Sequence, residues 1–160
     1  MFLSLLYALA FAVEPVTTVS ENGTVEVRTL VSASEAEIRA LLSDPMASAR
    51  LAPGFMSMST APQGACLHLN VAVAGPLDAI SYTALRCPTA TGWRTSLLES
   101  DTLTAMDAEW SVTPRADGTE VVYRLRSDVS MPVPSFLVRR NVLRSAVGTL
   151  ESLVRKVTRR

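Results

Sequence analysis

Between Phe55 and Ser130 the chain alternates apolar and polar residues in six successive runs: Phe55 to Thr60, Ala65 to Ala74, Asp78 to Cys87, Trp93 to Ser100, Leu103 to Thr113 and Thr119 to Ser130. Successive side chains of a strand point to opposite faces, so this period of two marks strands with one buried face and one wetter face. Turn signals separate the runs: Pro62-Gln63-Gly64, Gly75-Pro76, Pro88 to Gly92, Asp101-Thr102 and Ala116-Asp117-Gly118. Parallel strands need long crossovers, so runs joined this closely pair antiparallel, as a six-stranded meander.

The period then changes. From Pro134 to Lys156 there is no internal proline, enough for about six turns of helix. Val138, Val142, Ala146, Leu150, Leu153, Val154 and Val157 recur at helical spacing and form one apolar stripe. Ahead of the meander, Thr24 to Val31 reads as a strand rich in β-branched residues. Ser32 to Glu35 reads as a capping box opening a short helix with Ile38, Leu41 and Leu42 on its apolar face. Asp44-Pro45 ends that helix, and a second short one through Met46 to Leu51 stops at Pro53-Gly54.

One register puts the apolar residues of every run on a shared face. Val73 faces Ile80, Val71 faces Tyr82 and Leu69 faces Ala84 across the first hairpin. Continuing across the sheet aligns Tyr82, Glu99, Met106 and Ser127, then Ala84, Leu97, Ala108 and Leu125, then Thr95, Trp110 and Tyr123. A slip of one residue would turn polar side chains inward, which is why this solution is preferred. On the other face the same register sets Cys66 opposite Cys87, where a cross-strand disulfide is geometrically allowed; two free thiols are the alternative.

The order strand, two short helices, six-stranded meander, long C-terminal helix resembles the START-like (SRPBCC) superfamily, an α+β architecture also called the helix-grip fold. The most specific local piece is Ser127 to Val154, which passes from the last strand through Met131-Pro132-Val133-Pro134 into the closing helix and on to Gly148-Thr149-Leu150-Glu151-Ser152-Leu153. That superfamily includes START lipid-transfer domains, polyketide cyclases, coenzyme-Q-binding proteins and the birch-pollen-allergen family. The resemblance implies a curved sheet around the helix with a cavity between them. It makes residues 24–160 one domain.

In that cavity the expected ligand-binding residues are Leu69, Val71, Tyr82, Ala84, Leu97, Met106, Ala108, Trp110, Tyr123 and Leu125 of the sheet, closed by Val142, Ala146 and Leu150 of the helix. Ala84 and Ala108 leave volume in the centre that larger residues would fill. A conventional packed core is the alternative for any one of these positions. Two charges fall on this face, Arg86 and Glu99. Glu99, opposite Tyr82 and near Ser127, is the expected anchor for a polar head, unless both charges sit at strand ends in water. Met46, Met56, Met58 and Met131 are expected at the cavity mouth or as fillers of core gaps.

The expected function is therefore binding or transfer of a hydrophobic small molecule or lipid, with a cyclase or aromatase acting on such a ligand as the alternative. A packed structural domain without ligand is the third reading. No catalytic set is recognisable. His68, the sole histidine, alternates outward, and two thiols with one histidine do not make a zinc site. No cofactor is expected.

Fifteen basic residues balance fifteen acidic ones, which argues against a nucleic-acid partner. The balance is uneven along the chain. The segment from Pro134 onward holds seven Lys or Arg against Glu151 alone, and Arg139, Arg140 and Arg144 are the expected contacts if the helix docks on an anionic membrane. Met1 to Ala12 is uncharged and almost wholly apolar, ends in Ala10-Phe11-Ala12, and reads as a signal peptide; residues 13–23 read as a linker. Export, to the periplasm or beyond, is expected on that basis. Oligomeric state is left open.

Overall fold

The computed structural model describes residues 14–75 and 77–159. The expected signal peptide lies outside the described residues. Eight strands form one antiparallel sheet: β1 (Val16–Val19), β2 (Val25–Val31), β3 (Phe55–Gln63), β4 (Cys66–Ala74), β5 (Ala79–Pro88), β6 (Gly92–Glu99), β7 (Leu103–Arg115) and β8 (Gly118–Val129). Their order is β1-β2-β8-β7-β6-β5-β4-β3. Thus β3 to β8 are the expected meander, while β2 returns to pair with β8. The helices are α1 (Glu35–Ser43), α2 (Pro45–Ala49) and α3 (Ser135–Thr158).

Two local expectations are corrected. Residues Val16–Val19, taken as linker, form β1 and pair with β2 from Val16↔Arg28 to Val19↔Val25. The capping box that opens α1 is Ser34 with Glu37, not Ser32 with Glu35: the Glu37 amide donates to Ser34 Oγ at 3.2 Å, and the Ser34 amide donates to the Glu37 carboxylate at 3.3 Å. The helix starts two residues later because β2 still pairs at Val31 with Thr119, and the Thr119 hydroxyl then donates to the Ala33 carbonyl at 2.8 Å. Asp44, which ends α1, caps α2 by accepting from the Met46 and Ala47 amides.

The register across β4 and β5 is the expected one, with Leu69↔Ala84, Val71↔Tyr82 and Val73↔Ile80. It is the expected one again across β7 and β8, with Met106↔Ser127, Ala108↔Leu125 and Trp110↔Tyr123. Between them two details differ. A bulge sets Glu99 opposite Thr83, and β6 pairs with β7 two residues away from the expected alignment, as Trp93↔Trp110 and Thr95↔Ala108. A two-residue shift preserves the faces; the one-residue bulge reverses them for Glu99. Gly92 permits the Trp93–Trp110 pairing, since a Cβ there would lie 2.0 Å from the Trp110 carbonyl oxygen.

Two separate cores form on the concave side. In one, Ala146, Leu150 and Leu153 of α3 pack with Val25, Val27 and Val31 of β2, Ile38 and Leu42 of α1, and Val112 and Val121. In the other, Leu69, Val71, Ile80, Ala84, Leu103 and Met106 pack together around β4, β5 and β7. The site lies between them.

Candidate functional site

A cavity of about 370 Å³ separates the two cores, at the small end of the roughly 300–1,000 Å³ typical of ligand pockets. Its wall takes residues from both: Trp110, Tyr123, Leu125 and Val142 on one side, Leu69, Val71, Ile80, Leu103 and Met106 on the other. Ten of the residues expected from the sequence line it: Leu69, Val71, Tyr82, Met106, Ala108, Trp110, Tyr123, Leu125, Ser127 and Val142.

Six do not. Ala84 is wholly enclosed in the second core, and Ala146 and Leu150 in the first, where the C-terminal part of α3 lies directly on β2 and β8. The free space is therefore confined under Asn141, Val142, Arg144, Ser145 and Thr149. Leu97 packs against the second core. Met131 sits in the connection before α3, outside the lining. Glu99 is exposed, turned outward by the bulge, and lines instead an open depression on the convex side with Asn70 and Asp101.

Sequence reasoning missed the wall contributed by the α2 region, namely Pro45, Ser48, Ala49, Ala52, Pro53 and Phe55. Small residues in a short helix carry no periodic signal. Of the four methionines expected at the mouth, Met58 lines the cavity and Met56 is exposed.

Polar groups converge on this apolar space. Tyr123 is tilted against Trp110, ring centroids 4.4 Å apart, a geometry that fixes the phenol's direction. Neither the Tyr82 nor the Tyr123 hydroxyl hydrogen-bonds to another described residue, and neither is enclosed by side chains, so both open on the cavity they line. Burial pushes the Tyr82 phenol up to about 12. Burial, and secondarily the charge of Tyr82, pushes Tyr123 higher still. Both are thus neutral hydrogen-bond donors at neutral pH.

Unfolding returns these phenols to an ordinary value near 10. The phenols' contribution to stability is therefore full below about pH 10 and declines as pH rises toward 12, because there the phenols ionise in the unfolded chain before they do in the folded one. Urea unfolding at a series of alkaline pH values should show this decline, and Tyr82→Phe with Tyr123→Phe should flatten it.

Arg86 is buried, 6% exposed. Its Nη2 donates to the Leu42 carbonyl at the end of α1, and the guanidinium lies over Trp93, 5.3 Å from the ring centroid. Burial lowers its pKa to about 10, with Asp44 opposing the shift. The alternative that Arg86 reaches water at a strand end is thus overturned.

On the convex face Cys66 and Cys87 form a disulfide, with Cα atoms 4.4 Å apart. His68 stands on that same face, opposite Leu85. Arg139, Arg140 and Arg144 are exposed along α3.

A curved antiparallel sheet gripping one long helix over an apolar cavity is the START-like, helix-grip fold, and this chain has it. No protein-family model matches the sequence, and no curated protein matches it. Among solved structures the chain is similar to a START superfamily protein from Mycobacterium smegmatis, at a TM-score of 0.71 and 21% identity over 84% of this chain and 96% of that one. It is also similar to the Zhui aromatase/cyclase from Streptomyces sp. R1128, at 0.73 and 17% over 86% and 94%. A STAR-related lipid transfer protein from Xanthomonas axonopodis matches at 0.63 and 16% over 89% and 98%. At these identities the likeness is one of fold.

Proposed function

We propose that this chain is an exported carrier that holds a hydrophobic small molecule or lipid in the cavity between its sheet and α3. The observation that carries the reading is the cavity itself: apolar walls from two separate cores, with the Tyr82 and Tyr123 hydroxyls unpartnered on its surface. Neither hydroxyl is sealed among side chains, so both are open to the polar group of a guest in that space. The START-like neighbours, one of them named a lipid transfer protein, support the same class of ligand.

Export is supported by the Cys66–Cys87 bridge, since disulfides persist mainly in oxidising compartments. Membrane contact through Arg139, Arg140 and Arg144 belongs to the same proposal. Phe136 and Leu137, exposed one turn earlier on α3, add apolar surface that suits a lipid interface.

Native mass spectrometry of gently purified protein, together with uptake of N-phenyl-1-naphthylamine, tests the carrier. A bound hydrophobic species, or one dye per chain displaced by apolar competitors, is the expected result. Protein that is ligand-free and takes up no dye refutes it.

A second reading, catalysis of the aromatase/cyclase kind, is favoured by the likeness to Zhui and by the two protonated phenols facing the cavity. It requires turnover of a hydrophobic substrate that survives His68→Ala and is lost in Tyr123→Phe.

A further inference from the structure

Arg86 brings a buried positive charge to the wall of a largely apolar cavity and leaves most of its hydrogen-bonding capacity unspent. We propose that Arg86 is the recognition point for a carboxylate, so that the ligand is an apolar acid whose head meets Arg86 and whose chain lies along the cavity. This rests on the cavity being a ligand site, as proposed above.

Arginine presents five N–H donors in a planar fork. Here Nη2 meets the Leu42 carbonyl, while Nε and Nη1 form no hydrogen bond to any described residue. Nor are they sealed away: among the described residues, Arg126 Nε is the side-chain polar atom enclosed without a partner. The remaining donors of Arg86 therefore face open space, and the space beside it is the cavity.

No described carboxylate forms an ion pair with Arg86. The acid whose field reaches it, Asp44, is occupied in capping α2, at 2.9 and 3.1 Å from the Met46 and Ala47 amides. A buried cation without a counter-ion is costly, and the protein fixes this one in place with the Leu42 carbonyl and the Trp93 ring rather than with an acid.

Thr95, the cross-strand neighbour of Arg86, also lines the cavity and offers a hydroxyl next to the guanidinium. Together they suit a carboxylate, which accepts two parallel bonds from Arg and one more from a hydroxyl. One buried positive charge balances one negative charge, whereas a phosphomonoester brings about two. The other cation on the lining, Arg144, is exposed on α3, where water already solvates it. Beyond the head, Leu69, Val71, Met106 and Leu125 supply an apolar wall for the chain.

Calorimetric titration of the whole chain with decanoate and with decanol, equal in length and different in charge, tests the assignment. Decanoate should bind at least about tenfold more tightly than decanol, the scale of a charge-assisted bond. Arg86→Gln should erase that preference by weakening decanoate far more than decanol, and Arg86→Lys should keep part of it. If the native protein binds both ligands equally, the assignment falls and the carrier stands. If it binds neither, both fall. Should Arg86→Gln not fold, the preference of the native protein and the Arg86→Lys variant decide the matter alone.

Discussion

Replacing Ala108 by Phe should abolish ligand uptake and leave the protein folded. Ala108 lies in the middle of the cavity wall, between Thr95 of β6 and Leu125 of β8, and its methyl group faces free space. A phenyl ring there occupies the volume a guest would fill and removes about 3 kcal/mol of apolar contact, roughly a hundredfold in affinity. The stability change is as informative as the binding. In a solid core, inserting a ring forces neighbours off their rotamers and costs about 1–3 kcal/mol, whereas filling a hollow is neutral or stabilising. Dye titration and thermal unfolding of this variant should show lost uptake with an unchanged or raised Tm. A sharply lowered Tm would mean that there is no hollow to fill.

Removing the disulfide should cost more stability than any surface change. Cys66 and Cys87 are 21 residues apart in sequence, so the bridge constrains the unfolded chain by about 3 kcal/mol on the loop-entropy argument. For a domain of this size that corresponds to a fall in Tm of about 6–12 °C. Scanning calorimetry of Cys66→Ser/Cys87→Ser, or of the native protein with reductant, reads it directly. The bridge lies on the convex face, so ligand affinity should survive where the protein remains folded. An unchanged Tm would show that the β4–β5 hairpin needs no covalent support.

The strand order of the meander and the face of each run were legible because alternation is a local signal and a shared buried face allows few registers. Trp110↔Tyr123 and Val71↔Tyr82 followed from that condition alone. Glu99 did not, since a single extra residue near the end of β6 reverses its direction and leaves no mark in the composition. The two-residue offset between β6 and β7 was equally invisible, but harmless to the faces. Here Ser100 Oγ accepts from the Thr102 and Leu103 amides and forms a turn longer than Asp101-Thr102 suggests.

Depth along α3 was a different kind of loss. The stripe of Val142, Ala146 and Leu150 shows which side of the helix is buried, yet Val142 borders the cavity while the other two are enclosed. How far the helix lies against β2 separates them, and periodicity does not encode that. Arg86 was visible as a charge on the inner face. Its burial depends on the Leu42 carbonyl at the end of α1, a contact 44 residues away in sequence. β1 carried no signal at all, because Val16 and Val19 are exposed on an edge strand.

A crystal of the protein soaked with 1-bromodecane puts the central claim to the most direct test. The anomalous bromine peak should lie beneath the N-terminal half of α3, among Leu69, Tyr82, Trp110, Tyr123 and Val142. Side chains closed over that space, with bromine only on the exterior, would contradict it.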